Sequence, residues 1–164
     1  MVNIYEQYIR EAEKLFEEQR IDEAKRILEG LLEEEPGYAK AHNHMGWMYF
    51  YHENEEEKAI MHLKYSILFE PSYAPAYLHL ACLYIRKNEY KKAMEILEKG
   101  LEAKDVNKVS MYEMIGQCYE AMEEYSNALR HYKSALRFSL NEWEASSIEN
   151  NIKRTRKKRL MFLW

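Results

Sequence analysis

The stretch EPGYAKAHNHMGWMY occupies residues 35–49, and the similar stretch EPSYAPAYLHLACLY follows 35 residues later, at residues 70–84. Seven of the fifteen positions are identical, including those of Pro36 and His44 in the first copy. A fixed spacing of this size is typical of stacked helical hairpins, because each hairpin must offer its neighbour the same packing surface. The repeated stretch therefore predicts a solenoid of helical hairpins.

The composition favours one all-α domain. The chain has 164 residues, of which 47% are hydrophobic and 13% aromatic, so it has enough apolar material for a sizeable core. Only five glycines and three prolines interrupt a sequence rich in helix-forming residues. The first residues carry charges from Glu6 onward, and no apolar run is long enough to span a membrane. We therefore expect a soluble cytoplasmic protein.

Apolar residues recur three and four positions apart along most of the chain, which is the period of an amphipathic helix. Short polar turns divide this pattern into four hairpins, with one extra residue in the turn around 53–56 and another near 105–108. The predicted helices span residues 4–16, 21–34, 38–52, 55–69, 73–87, 90–103, 108–122 and 125–138.

Aligning the hairpins shows small residues at two fixed positions, where the two helices of each hairpin are predicted to cross. Small side chains let helix backbones approach closely, and a glycine inside a helix costs about 1 kcal/mol that such packing would justify. The first helices carry Ala12, Gly46, Ala81 and Gly116, and the second helices carry Ala24, Ala59, Ala93 and Ala128. Large residues surround them, among them Leu28, Leu63, Leu97 and Tyr132.

This arrangement resembles the tetratricopeptide repeat, in which a large residue, a small one, an aromatic, an alanine and a terminal proline follow at set spacings. The resemblance implies a right-handed superhelical solenoid with repeats at about 5–38, 39–73, 74–107 and 108–140. Repeat three carries the pattern as Tyr77, Leu80, Ala81, Tyr84, Ala93 and Leu97, and repeat four as Tyr112, Ile115, Gly116, Tyr119, Ala128, Tyr132 and Ala135. The pattern departs at Glu11, where a buried apolar residue is usual, and at His42, which replaces the leading aromatic residue. The terminal proline is replaced by Asp105 and Leu140 in the last two repeats.

Residues 141–164 are predicted to form a C-terminal helix that caps the exposed end of the solenoid. Asn141 can cap its first turn. Its predicted buried face carries Trp143, Ala145, Ile148 and Ile152.

Stacked hairpins of this kind line a concave groove with their first helices, so the residues on that face would meet a ligand. Exposed aromatic residues in the middle of the groove are typical of binding hot spots. The predicted peptide-binding residues are Asn43, His44, Trp47, Phe50, Tyr51, Leu78, His79, Cys82, Ile85, Arg86, Glu113 and Gln117, with Glu13, Glu17 and Glu120 on the same face.

The groove favours one function, that of a non-enzymatic adaptor that binds a peptide segment of a partner protein. The family's clamp for the carboxylate end of heat-shock chaperones is absent, because Ile9, Glu13 and His44 occupy positions where it needs lysine and asparagine. The chain also resembles bacterial type III secretion chaperones in its size and acidity. A secretion-chaperone role is therefore an alternative.

The C-terminal tail combines six basic residues at 153–159 with the apolar run LMFLW at 160–164. Residues 141–164 carry a charge of +3, and the preceding 140 residues carry −7. The tail can be a solvated helix end, an anchor to anionic lipid or nucleic acid, or a contact that builds a homo-oligomer. The acidic body disfavours nucleic acid, and a short terminus is a weak membrane anchor.

We expect no catalytic, metal or cofactor site. The sequence has no glycine-rich phosphate loop, no nucleophile elbow and no HExxH motif. His42 and His44 point to different sides of one helix, so they do not form a metal-binding pair. The two cysteines, Cys82 and Cys118, are expected to be buried or groove-lining thiols without a disulfide role.

Overall fold

The computed structural model describes residues 3–103 and 106–161, and within these ranges the chain is helical and contains no strand. The predicted all-α fold is thus confirmed, and most helix ends agree with the prediction to within two residues. The helices are α1 (Ile4–Glu17), α2 (Ile21–Glu34), α3 (Ala39–Met48), α4 (Glu56–Phe69), α5 (Ala74–Arg86), α6 (Tyr90–Gly100), α7 (Lys108–Ala121), α8 (Tyr125–Phe138) and α9 (Glu142–Met161).

Two predicted features differ from the structure or lie outside it. The helix α6 ends at Gly100, three residues before the predicted end, and the chain continues as a turn. Asp105, where the repeat pattern loses its proline, and the last residues of the tail, 162–164, lie outside the described residues.

The contacts of the chain divide it into two compact units, Met1–Leu80 and Ala81–Trp164. We call them the N-terminal unit and the C-terminal unit. The division falls inside α5. In the part of the chain that the structure describes, no helix is long and apolar enough to cross a membrane.

The turns inside the four hairpins share one feature of backbone geometry. One residue adopts a left-handed conformation, and these residues are Gln19, Asn54, Asn88 and Glu123. In the first hairpin the N–H of Arg20 then donates to the carbonyl of Leu15 at 2.8 Å, and the third and fourth hairpins repeat this bond. Such a bond across a left-handed residue satisfies a carbonyl that the end of a helix leaves open. The repeated turn thus fixes where each first helix ends.

The second hairpin departs from this plan through a π-helical segment, Tyr49–Glu53, which continues α3. Its left-handed residue, Asn54, comes eight positions after the small residue Gly46, whereas the other hairpins have seven. The N–H groups of Asn54 and Glu55 both donate to the carbonyl of Tyr49. The extra residue predicted in the turn around 53–56 is therefore accommodated earlier in the chain, by the wider π-helical turn that follows α3.

Helix crossings in the N-terminal unit lie at the predicted small residues. Ala12, Ala24 and Ala59 are fully buried. A Cβ atom added to Gly46 would lie 2.6 Å from Cγ of Leu63, so α3 and α4 cross where only a glycine fits.

His42 replaces the leading aromatic residue of its repeat and makes the same hydrogen bond. Its Nε2 lies 3.0 Å from the carbonyl of Pro36, and the hydroxyl of Tyr77 donates to the carbonyl of Pro71 at 2.9 Å. The buried ring also stacks on Phe69 at 5.5 Å. This departure from the family pattern therefore leaves the local structure intact.

In the C-terminal unit, α9 packs on the α7–α8 hairpin. Ile148 and Ile152 belong to the buried cluster that also contains Ala128 and Tyr132. The prediction that Trp143 lies on the buried face is wrong, because this side chain is 81% exposed. The first turn of α9 therefore contributes less to packing than the pattern indicated.

Candidate functional site

A cleft of about 290 Å³ lies on the surface of the N-terminal unit. Three helices supply its walls, with residues from α1, α3 and α5. Residues three and four apart share one helix face, which is why each of the first two helices contributes several side chains. The lining residues are Glu13, Phe16, Glu17, His44, Trp47 and His79.

Aromatic rings form the floor of the cleft and continue beside it. The rings of Phe16 and Trp47 meet edge to face with their centroids 5.4 Å apart. Trp47 also contacts Tyr51 at 5.1 Å and His52 at 5.2 Å. Trp47 is partly exposed and Tyr51 is 52% exposed, so part of this cluster remains open to solvent. Partly exposed aromatic clusters of this kind are typical of binding surfaces.

The π-helical segment brings His52 into this cluster. Its ring lies nearly parallel to that of Phe16, with centroids 6.3 Å apart. Phe16 and His52 are the two members that the sequence analysis missed as site residues. The extra residue between Gly46 and Asn54 was the one sequence signal that could have located His52, because π turns occur frequently at functional sites.

Two imidazoles in the cleft are held in their neutral forms. Burial lowers the pKa of His44 to about 4, and the nearby charge of Lys40 adds to this effect. Burial likewise lowers the pKa of His79 to about 4. Nδ1 of His79 lies 2.8 Å from Oδ1 of Asn43, and an amide oxygen only accepts, so Nδ1 carries the proton. Nε2 of His79 is then a hydrogen-bond acceptor.

Carboxylates lie at the rim of the cleft. Oε1 of Glu13 lies 3.3 Å from Nε2 of His44. Because His44 is neutral near pH 7, this contact is not an ion pair there. The Glu13 side chain is 51% exposed, and Glu17 is exposed as well. The cleft therefore combines an apolar floor with a negatively charged edge.

The predicted site residues of the N-terminal unit divide into two groups. His44, Trp47 and His79 line the cleft, and Tyr51 lies beside it. Asn43 and Phe50 are only 2% and 5% exposed, so the expectation that they face a ligand is wrong. Asn43 instead supports His79, and Phe50 packs edge to face on Tyr51 at 4.6 Å. Leu78 is partly buried, and its role stays a prediction.

The remaining predicted residues lie in the C-terminal unit. Arg86 and Gln117 are exposed, whereas Cys82, Ile85 and Glu113 are partly buried. Oε1 of Glu113 accepts a hydrogen bond from Nδ2 of Asn151 at 3.0 Å, so α9 already engages this carboxylate. Burial raises the pKa of Glu113. A ligand role for these five residues stays a prediction.

Glu120 is not a groove residue, because it is 6% exposed and fully engaged inside the C-terminal unit. Arg154 donates to both of its carboxylate oxygens at 2.9 and 2.8 Å, and Lys158 lies 2.9 Å from Oε1. The Tyr132 hydroxyl donates to Oε2 at 2.8 Å. These donors outweigh burial and lower the pKa of Glu120 to about 2. Two of the basic residues of the tail thus stabilise the fold.

Comparisons with known proteins agree with the hairpin geometry. The family model of the tetratricopeptide repeat matches residues 74–107 and 109–141. A curated relative, the uncharacterized protein ycf37 of Cyanophora paradoxa, is 34% identical over 80 residues, which are 47% of this chain. The chain spans about half the length of that relative, since the match covers 46% of it.

Solved structures with a similar fold are distant in sequence. PilF of Pseudomonas aeruginosa superposes with a TM-score of 0.77 at 16% identity, covering 95% of this chain and 75% of PilF. Yeast Tom70 gives a TM-score of 0.80 at 14% identity, covering 93% of this chain and 33% of Tom70. MamA gives a TM-score of 0.69 at 19% identity, and the superposition covers 92% of each chain. The two matched segments thus have the tetratricopeptide-repeat pattern, and the likeness to these solved structures shows that the chain shares their fold.

Proposed function

We propose that the chain is a non-enzymatic adaptor that binds a peptide segment of a partner protein at the Trp47 cleft of the N-terminal unit. Tetratricopeptide-repeat proteins generally mediate protein–protein interactions. The observation that carries the proposal is the cleft itself, in which partly exposed aromatic rings adjoin hydrogen-bonding and charged side chains. A peptide recognised there would bury a side chain against the rings and bond to the polar groups around them.

The experiment compares the proteins retained from native cell lysate by the wild-type chain, by Trp47→Asp and by the matched control Trp143→Asp. Trp143 is 81% exposed on α9, so the same substitution there leaves the cleft intact. Partners bound at the cleft are retained by the wild type and the control but not by Trp47→Asp, and mass spectrometry names them. Equal circular dichroism and melting temperature establish that all three proteins fold. Identical partner sets would reject the proposal.

A second candidate, a homo-oligomer built through the tail, is favoured by the exposed end of α9. Leu160 and Met161 are 57% and 76% exposed, next to exposed basic residues. Truncation after Arg159 removes this apolar end and keeps Arg154 and Lys158, which hold Glu120. Sedimentation velocity of this truncation would then show a monomer where the full chain is larger. A role like that of a type III secretion chaperone, and a cytoplasmic location, remain predictions of the sequence.

A further inference from the structure

The N-terminal unit is the acidic part of the chain. It contains 16 acidic and 8 basic residues, a net charge of −8, whereas the C-terminal unit contains 12 acidic and 16 basic residues, a net charge of +4. A surface with this imbalance attracts cations and raises the rate at which a basic partner associates. The Trp47 cleft therefore lies on the unit that favours a positively charged ligand.

Within the cleft the charges are negative or neutral. The carboxylates of Glu13 and Glu17 lie at its edge, and the imidazoles of His44 and His79 are neutral near pH 7. Helix α3 carries one lysine, Lys40, and its Nζ lies 2.6 Å from Oε1 of Glu6. The carboxylate of Glu6 therefore compensates the positive charge of Lys40. A cation that enters the cleft therefore meets two carboxylates and the Nε2 acceptor of His79.

The aromatic floor adds a second reason to favour a cation. The electron-rich face of an indole attracts a guanidinium or ammonium group, and a planar guanidinium also stacks on it. Trp47 lines the cleft together with Phe16, and the carboxylates lie beside these rings. The residues that line the cleft therefore include both aromatic rings and carboxylates, which are the two kinds of group that a guanidinium binds.

We propose that this cleft binds a positively charged side chain, arginine above all, from the peptide segment of a basic partner. The inference rests on the proposed function, since it names the chemistry that the same cleft recognises. Arginine fits better than lysine because its planar head can stack on a ring while its N–H groups donate to a carboxylate.

The test titrates the full chain with N-acetyl-arginine methylamide and follows the indole N–H signal of Trp47 by NMR. The matched ligand is N-acetyl-citrulline methylamide, which has nearly the same shape and no charge. Trp143, far more exposed and on α9, serves as the internal reference. We expect the arginine ligand to shift the Trp47 signal with a dissociation constant on the order of millimolar, and citrulline to bind about tenfold more weakly.

Variants on α1 locate the charge that is recognised. Glu13→Gln and Glu17→Gln together are expected to weaken arginine binding about tenfold. Glu11→Gln removes one negative charge on the same helix, where the double variant removes two, at an exposed residue that does not line the cleft, and is expected to leave binding within about twofold. Equal loss in the double variant and in the control would show only long-range attraction and would overturn the proposal.

Two further results would overturn the proposal. Equal binding of arginine and citrulline would show an apolar site, and an unmoved Trp47 signal at tens of millimolar arginine would show no site for it. If the lysate partners still depend on Trp47 in either case, peptide binding stands and only the cation specificity is wrong. If arginine binds while Trp47→Asp leaves the partner set unchanged, the proposed function is wrong and the cation site stands.

Discussion

Gly116 lies where α7 crosses α8, and the ring of Tyr132 fills the space that a side chain would need. A Cβ atom at Gly116 would lie 2.7 Å from Cε1 of that ring. The ring has little freedom to move, because Tyr132 is fully buried and its hydroxyl donates to Glu120. Close packing of this kind explains why a residue with poor helix propensity is used inside a helix.

Gly116→Ala is therefore expected to destabilise the chain, although alanine is the better helix former. The gain in propensity is about 1 kcal/mol, and the overpacking should cost about 1 to 3 kcal/mol. Gly30→Ala is the matched control, because nothing lies within 4 Å of a Cβ atom there, and it should stabilise by up to about 1 kcal/mol. Denaturant unfolding measures both changes. Stabilisation by Gly116→Ala would contradict the close crossing.

The sequence predicted these crossings because the small residues that form them recur at a fixed spacing. The orientation of single side chains was less predictable. Asn43 and Phe50 were assigned to the binding face, but both are buried, since neighbouring positions on a helix differ by only 100° and the π turn shifts the register. The sequence placed His42 at the position of the leading aromatic residue, but only the structure shows that its ring makes the hydrogen bond to the carbonyl of Pro36.

At the scale of elements, α9 is held to the C-terminal unit by both apolar and charged contacts. Ile148 and Ile152 pack in the core, and Arg154 and Lys158 bind the buried carboxylate of Glu120. The sequence predicted the apolar contacts from the helical period. It could not predict the charged ones, because any of six basic residues could have met any of the acidic residues.

Glu120→Gln is expected to lower the free energy of unfolding by about 2 kcal/mol, because charge-assisted hydrogen bonds from Arg154 and Lys158 are lost. Arg154→Gln should cost less, about 1 kcal/mol, since its side chain is 49% exposed. Denaturant unfolding gives the values, and hydrogen exchange should show faster exchange in α9.

Lys153→Gln is the matched control for Arg154→Gln, since it makes the same change of charge at an exposed neighbour on α9. We expect it to change stability by less than about 0.5 kcal/mol. If Lys153→Gln and Arg154→Gln had equal effects, the general positive charge of α9 would matter, and the contact with Glu120 would not.

At the scale of the whole molecule, the two units differ in charge and in buried histidines. The sequence showed an acidic body and a basic tail, but the division that the structure gives lies inside α5, so much of the positive charge belongs to a folded unit. Four histidines with lowered pKa values lie in the N-terminal unit, and His131 lies in the C-terminal unit. The fold class and repeats were predictable from periodicity, whereas the burial of these rings depends on packing between helices.

This difference predicts that mild acid destabilises the N-terminal unit first. Burial lowers the pKa values of His44, His62 and His79 to about 4, from 6.5 in the unfolded chain, and lowers that of His42 as well. Between pH 6.5 and 4 the unfolded chain binds protons that the folded chain does not, so the free energy of unfolding falls as the pH falls. The loss by pH 5 should be on the order of 1 kcal/mol for each of the three rings whose pKa is about 4.

Hydrogen exchange at pH 7 and pH 5, corrected for intrinsic rates, tests this order. Protection should fall more in residues 3–80 than in residues 81–161, because Glu120, with a pKa of about 2, stays ionised at pH 5 and keeps its contacts with α9. His42→Tyr provides the matched variant, since a tyrosine can donate to the Pro36 carbonyl as Tyr77 does to Pro71. It removes one titrating ring and should reduce the loss of protection at pH 5. Equal loss in both units would show that the buried imidazoles do not govern the acid response.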